Sequence, residues 1–174
     1  ATLGVQLRPI ATPLVMTGFA PEVIDQIAPM FRVAGMVAVV GGASGIAQTM
    51  PDAPLQPGDA VGVSLIRGDL SMAATGTVTL VDAGRVHAFG HPFYSLGPAR
   101  FPMTRAYVHT VLSSQAISSK IAAVGDVIGT IDQDRATGIS GSFGPGPVLV
   151  PLHVSLDAPD RDRVDTFDFE IVAD

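Results

Sequence analysis

The chain has 174 residues and a formal net charge of −6, with 47% hydrophobic and only 15% charged residues. That length fits one domain, and so large a share of apolar residues excludes intrinsic disorder. The acidic balance provides no basic stripe to neutralise phosphates, which excludes a typical nucleic-acid partner. The 19 glycines and 14 prolines predict many turns between short strands rather than a helical bundle.

The absence of cysteine excludes disulfides, thiolate catalysis and cysteine metal sites together. The two longest uncharged stretches, residues 33–51 and 136–156, are interrupted by glycine or proline, so we expect no membrane-spanning segment. The chain begins at Ala1 rather than at a methionine, and we therefore expect a processed product or one domain of a longer protein.

The first predicted elements are a strand, a helix and a second strand. Thr12–Phe19 predicts a short strand. Pro21 then opens a helix whose apolar residues recur at helical spacing until Gly35 ends it. Met36–Val40 is rich in β-branched residues and predicts a buried strand, whereas Gly41–Gly58 is typical of a loop.

The rest of the chain predicts strands at spacings of roughly 8–12 residues, which is typical of a barrel or a sandwich. Asp82-Ala83-Gly84 predicts a hairpin turn with Gly84 in the left-handed region. Gly76-Thr77-Val78 and Gly129-Thr130-Ile131 echo each other but are too short to establish a repeat. The predicted strands are Ala60–Ile66, Thr75–Val81, Arg85–Phe89, Phe101–Leu112, Ile117–Val124, Val127–Ile131, Val148–Leu156 and Thr166–Val172.

The glycine-rich stretch over residues 39–47 is similar to the dinucleotide-binding turn of short-chain dehydrogenases. Such a turn requires a helix directly after it, and Pro51 and Pro54 block one. The only lysine is Lys120, so the Tyr-x-x-x-Lys of those enzymes is absent too. The favoured interpretation is a loop, and we expect no cofactor.

His87 and His91 are four residues apart, a spacing that on a helix suits a shared metal ion. The segment predicts a strand, in which four residues span ~13 Å, so we expect no metal site. His91 lies between Gly90 and Pro92 where the chain leaves the strand, a position from which a barrel presents a general base at its rim. A structural histidine at a turn is the alternative interpretation.

Seven short blocks follow one another in a distinctive order: Arg67-Gly68-Asp69-Leu70, residues 74–79, residues 88–93, residues 128–131, Gln133-Asp134-Arg135, residues 138–141 and Phe167–Val172. In sequence and order they resemble the SpoIVB-type (stage IV sporulation protein B) serine peptidase domain. The resemblance covers about residues 60–174. The combination of Gly-Thr-Val-Thr with a later Gly-His is its most specific part.

The resemblance implies a mainly β fold with a trypsin-like barrel. It also implies a peptidase of the His–Ser type that acts outside the cytoplasm on a protein or peptide, its own chain included. His91 matches the family's catalytic histidine. The family's nucleophilic serine lies in a Gly-Met-Ser-Gly-Ser-Pro block beyond a strand like Phe167–Val172. This sequence departs from the family there, because it ends just after that strand.

Three hydroxyl-bearing residues are candidate replacements for the serine. Ser140 and Ser44 each lie in a Gly-x-Ser-Gly pattern, and we expect Ser140 at a structural turn and Ser44 in a loop. Thr17 follows Met16 and precedes Gly18, which loosely resembles the Met-Ser-Gly of the family. A circular permutation would place this block at the N-terminus, since the termini of domains often lie close together. The hypothesis requires the Thr17 hydroxyl within ~3.5 Å of the histidine.

The acid of a triad stays open. Asp69, Asp82 and Asp134 are candidates by residue type alone, and the favoured interpretation of Asp134 is an ion pair with Arg135 that braces a turn.

We therefore expect a single domain over residues 1–174, with a helix-containing segment over 1–58 and a core β barrel over 59–174. One candidate function is an endopeptidase that uses His91 and Thr17, with Ser140 as the alternative nucleophile. The other is a catalytically inactive β barrel that binds a protein or peptide partner. The two classes differ in whether a serine-reactive probe labels the chain in a manner that depends on His91.

Overall fold

The computed structural model describes residues 11–41, 53–112, 119–158 and 163–173. Within these ranges the chain forms one helix and ten strands, so the predicted mainly β class is confirmed. In chain order the elements are β1 (Thr12–Thr17), α1 (Pro21–Val33), β2 (Met36–Val40), β3 (Ala60–Gly68), β4 (Ser71–Asp82), β5 (Arg85–Ala88), β6 (Gly97–Leu112), β7 (Ser119–Arg135), β8 (Gly138–Phe143), β9 (Leu149–Ala158) and β10 (Arg163–Val172).

Strands β3 to β8 form two antiparallel meanders that meet edge to edge. β3, β4 and β5 pair in sequence, and so do β6, β7 and β8. β3 also pairs with β6, and β5 with β8, so the two meanders close a ring of strands, the strand ring. The echoing segments Gly76-Thr77-Val78 and Gly129-Thr130-Ile131 lie in β4 and β7, the middle strands of the two meanders.

The remaining elements flank the strand ring. β1 pairs with β2 in parallel, and helix α1 forms the crossover that connects the two strands. β1 also pairs with β4, in antiparallel orientation. Pro21 occupies the first turn of α1, and Gly35 follows the helix in a left-handed conformation, as predicted. On the other side β10 pairs with β3, and β9, which pairs with β10, is the outermost strand at that end of the sheet. No described segment forms a helix of the length and hydropathy needed to cross a bilayer.

The hydrophobic core lies inside the strand ring. Along β5, the inward-facing Val86 and Ala88 are buried, whereas Arg85 is half-buried and His87 is exposed. The same alternation buries apolar side chains from every strand of the ring. Full burial of a valine or leucine side chain stabilises a fold by roughly 1.5–3 kcal/mol. The packed interior therefore holds the strands of the ring together.

The predicted strands Ile117–Val124 and Val127–Ile131, as far as the structure describes them, are parts of one strand, β7, which begins at Ser119. Thr104 of β6 pairs with Val127, but Ala106 pairs with Val124, so β7 carries one extra residue between the two pairs. A β-bulge accommodates such a residue without ending the strand. The predicted break therefore marks this bulge.

The expectation that Ser140 lies at a structural turn is wrong, because Gly138–Phe143 is strand β8. A Cβ atom at Gly141 would overlap the carbonyl oxygen of Thr130 on β7. Close approach of the two backbones, rather than a turn, requires this glycine. The predicted turn at Asp82-Ala83-Gly84 is confirmed, with left-handed φ angles of 45° at Ala83 and 78° at Gly84.

Candidate functional site

The connection between the two meanders carries His91. β5 ends at Ala88, and both Phe89 and Gly90 are left-handed, with φ angles of 76° and 77°, so the chain turns out of the sheet here. We call residues 89–96 the His91 turn. The predicted position of His91, where the chain leaves a strand, is confirmed.

Packing holds Phe89 in its unfavourable backbone conformation. A left-handed φ costs a residue with a Cβ atom roughly 1–2 kcal/mol. The N–H of Phe89 donates to the carbonyl of Thr77 at 3.0 Å. Its ring lies where a Cβ atom of Gly76 would otherwise be, and its ring centroid is 5.5 Å from that of His91. The glycine of the Gly-Thr-Val-Thr block thus makes room for the ring that supports the histidine.

Asp134, in β7, braces the His91 turn from below. Its side chain is fully buried, and its two carboxylate oxygens accept the N–H groups of Phe93 at 2.7 Å and Tyr94 at 2.6 Å. Hydrogen bonds to a charged acceptor are among the strong ones, and they satisfy a charge that would be costly to bury alone. The expected ion pair between Asp134 and Arg135 is wrong, since Arg135 donates to Gln133 instead.

The hydrogen bonds of His91 define its tautomer. Nδ1 lies 2.9 Å from the carbonyl oxygen of Pro92 and 3.4 Å from the hydroxyl of the buried Thr12. Because a carbonyl oxygen only accepts, Nδ1 carries a proton, and in the neutral imidazole Nε2 then carries the lone pair. Among the described residues none hydrogen-bonds to Nε2. The imidazole therefore has the tautomer of a general base that acts through Nε2.

Thr17 lies at the other end of β1 from Thr12. The two are five positions apart along the strand, which is about 16 Å. Thr17 pairs with Ser71 of β4, and its hydroxyl lies against Gly41. The structure brings β1 to His91 through Thr12, and it does not bring Thr17 there.

Ser140 lies on the outer face of the strand ring beside His87. The two residues are directly paired between β8 and β5, so their side chains share one face. Arg85 donates to the Ser140 hydroxyl at 3.1 Å and to the Asp132 carboxylate at 2.7 Å. The hydrogen bond that Arg85 donates to Asp132, and then the charge of Asp132, raise the pKa of Arg85. Sequence reasoning missed this pairing because it weighed His87 only as a metal ligand.

Neither Asp69 nor Asp82 contacts His91. Asp69 accepts the N–H of Asp168 at 2.8 Å, which ties the β3–β4 turn to β10. Asp82 lies opposite Arg85 in the register of β4 and β5, at the end of that hairpin. Ser44, the remaining candidate nucleophile, lies outside the described residues.

Lys120 is a further residue next to the His91 turn. β6 and β7 continue past β3 and β8 as a two-stranded arm formed by residues 106–112 and 119–124. Lys120 donates from this arm to the hydroxyl of Thr77, whose carbonyl already receives the N–H of Phe89. The sequence marks Lys120 only by its being the single lysine of the chain. Its partner Thr77 is 43 residues away, so the contact could not be predicted from the sequence.

Two cavities adjoin the His91 turn. An apolar groove of about 430 Å³ lies between α1, β3, β10 and the turn residues Tyr94 and Leu96. Burial raises the pKa of Tyr94. A polar pocket of about 330 Å³ lies on the outer face of the strand ring, beside Gly90. Both volumes are at the size of sites for small ligands or single side chains.

Comparison of the chain with models of protein families, with curated proteins and with solved structures finds no match. Within the described ranges, no three histidine or acidic side chains converge as metal ligands would. His91 and the two cavities beside its turn are the features on which a function can be based.

Proposed function

We propose that the chain is a peptidase-type domain with a trypsin-like barrel, of the SpoIVB type that its sequence resembles, and that His91 is its general base. The orientation of His91 supports this assignment most directly. Nδ1–H is held by the Pro92 carbonyl, while Nε2 is left with a lone pair and no partner among the described residues. In His–Ser peptidases, too, one ring nitrogen is oriented by an acceptor and the other takes the proton of the nucleophile.

The proposed reaction is acyl transfer. A hydroxyl oxygen attacks the carbonyl carbon of a peptide bond while Nε2 of His91 takes the hydroxyl proton. The imidazolium then gives this proton to the leaving amine, and the ester remains on the enzyme. Water, deprotonated by the same nitrogen, hydrolyses the ester and restores the hydroxyl.

The nucleophile is the part of the proposal that experiment must assign. No described hydroxyl hydrogen-bonds to Nε2, and the structure does not bring Thr17 to His91, so Ser140 and Ser44 are the candidates that remain from the sequence. The resemblance extends the proposal to a protein or peptide substrate, the chain itself included, and to a location outside the cytoplasm.

The test is covalent labelling with a fluorophosphonate probe, followed by mass spectrometry to identify the labelled residue. We expect labelling of the wild type and none of His91→Ala. His153→Ala is the matched control, because His153 is exposed on β9 and far from the turn in sequence. Absence of labelling, together with an intact chain after prolonged storage, would contradict the enzyme. Labelling of Ser140 that depends on His87 rather than His91 would contradict the assignment of the base.

A second function, binding of a partner without catalysis, is supported by the hairpin of β9 and β10. Val150, Leu152, Val154 and Leu156 alternate along β9 and are at least 36% exposed. Contiguous exposed apolar side chains mark interaction surfaces, and an outermost strand offers unpaired backbone groups to an extended peptide. If the probe does not label the chain, retention of extended apolar peptides that is lost in Leu152→Lys would establish this function instead.

A further inference from the structure

A polar pocket lies on the outer face of the strand ring, where β5 ends and β7 turns into β8. Its volume of about 330 Å³ suits a small polar group rather than a large ligand. Hydrogen-bond donors converge on it from three elements: Arg135 of β7, Thr137 of the β7–β8 turn and His87 of β5 all line it. Ser140 of β8 completes the wall.

Arg135 gives the pocket its charge. Its Nε donates to the side-chain oxygen of Gln133 at 2.9 Å, which orients the guanidinium, and no described residue accepts from its two terminal NH₂ groups. The two acidic side chains nearest to Arg135 along β7 have other partners. Arg85 pairs with Asp132, and Asp134 directs its carboxylate to backbone N–H groups of the His91 turn. Arg135, which is exposed to solvent, therefore lines the pocket with terminal NH₂ groups that no described residue occupies.

Ser140 and His87 add a hydroxyl and an imidazole to the lining of the pocket beside Arg135. The Ser140 oxygen accepts from Arg85 at 3.1 Å, which leaves its own proton free for another acceptor. His87 is exposed and is directly paired with Ser140, so both side chains point to the same side of the sheet. An acceptor in the pocket would meet a guanidinium fork, a hydroxyl and an imidazole together.

We propose that this pocket binds a terminal oxyanion, a carboxylate or a phosphate group, with Arg135 as its main contact. A planar guanidinium forms two parallel hydrogen bonds with such groups, which a lysine could not do. A peptide C-terminus and a small phosphorylated ligand both carry this chemistry. The pocket lies on the Gly90 side of the turn and involves neither nitrogen of His91, so binding there does not require His91 to act as a base.

The test is a titration of the full chain followed by backbone amide NMR at fixed ionic strength. One arm uses inorganic phosphate. The other uses trialanine with a free C-terminal carboxylate, matched by the same tripeptide with a C-terminal amide. We expect saturable shifts at Gly90 and over residues 137–140. We expect roughly tenfold weaker binding in Arg135→Gln, about the effect of one charge-assisted hydrogen bond.

Arg163→Gln is the control variant, because Arg163 is exposed on the β9–β10 hairpin and already pairs with Asp165. It should bind like the wild type. Saturable binding of phosphate alone, or of the free-acid tripeptide alone, supports the site and identifies the source of the oxyanion. Equal shifts by the acid and amide tripeptides with no response to phosphate, unchanged affinity in Arg135→Gln, or no saturable shift in either arm would overturn the proposal.

Discussion

The strand ring and the β9–β10 hairpin are built from the same kind of alternating apolar sequence, yet only the ring buries it. Val63 in β3 is fully buried, whereas Val154 in β9 is 36% exposed. Each strand of the ring has neighbours on both edges, while β9 has β10 on one edge alone. Alternation therefore tells which side chains share a face, and the topology decides whether anything covers that face.

The polar contacts of the two regions differ in the same way. In the ring, the buried carboxylate of Asp134 holds the backbone of the His91 turn. In the hairpin, the pair His153–Asp168 joins side chains that are 63% and 75% exposed. An exposed pair of this kind contributes about 0–1 kcal/mol at most. We therefore expect the hairpin to open more readily than the ring.

The largest effect is expected for Asp134→Asn. The substitution removes a buried negative charge and sets an amide NH₂ group against a backbone N–H that needs an acceptor. We expect a loss of about 3 kcal/mol in the free energy of unfolding, measured in urea. The control is Asp168→Asn, which should cost less than about 0.5 kcal/mol. Similar values for both variants would show that the ring does not depend on this brace.

A smaller effect is expected from the same deletion made in each region. Val63→Ala leaves a cavity inside the ring and should cost about 2 kcal/mol. Val154→Ala removes the same atoms from a partly exposed site and should stay within about 0.5 kcal/mol. Urea unfolding measures both. A loss in Val154→Ala as large as in Val63→Ala would mean that the face of β9 is covered in solution, for example by a second copy.

A substitution at Gly76 of β4 tests whether Phe89 positions His91. Gly76→Ala places a methyl group where the Phe89 ring lies, so the ring must move away from the histidine. We expect a loss of about 1–2 kcal/mol, as is usual for overpacking, and a changed ¹⁵N signal of the His91 imidazole. An unchanged imidazole signal would mean that Phe89 does not position the histidine.

The smallest effect concerns alkaline pH. Burial raises the pKa of Tyr94, so its phenolate forms less readily in the folded chain than in the unfolded chain. Below about pH 9 both states hold the proton and the free energy of unfolding is unaffected. Stability should fall as pH rises through the pKa values of the unfolded and then the folded chain. Tyr94→Phe should show a smaller fall above about pH 9, and equal falls would contradict the assignment.

Local signals made part of the fold and site predictable. Helix α1 follows from Pro21 and Gly35, strand β2 from its β-branched run, and the position of His91 from the glycine and proline beside it. These features depend on backbone preferences of single residues or on short periodic patterns. Such preferences depend on the local sequence and not on distant contacts, so the sequence alone predicts these features.

The partners of His91 were not predictable because they are distant in sequence. Thr12 is 79 residues from His91, and Asp134 is 41 residues from Phe93. The Met-Thr-Gly pattern at Thr17 pointed to the correct strand but to its wrong end, since only the pairing with β4 decides which end of β1 meets the turn. The resemblance to the peptidase family indicated His91, whereas the pairing of the strands determines which residues surround it.

The division of the strand ring into two meanders also bears on the order of folding. Within a meander, strands such as β3 and β4 or β7 and β8 are joined by only two residues. Closing the ring instead brings Arg85 to Ser142 and Val61 to Arg105. Such long loops close late, because their entropy cost precedes the contacts that compensate it. The His91 turn connects the two meanders and is held by contacts from both, with Thr77 of the first and with Asp134 of the second. We therefore expect the full setting of the histidine to form late in folding, when the ring closes.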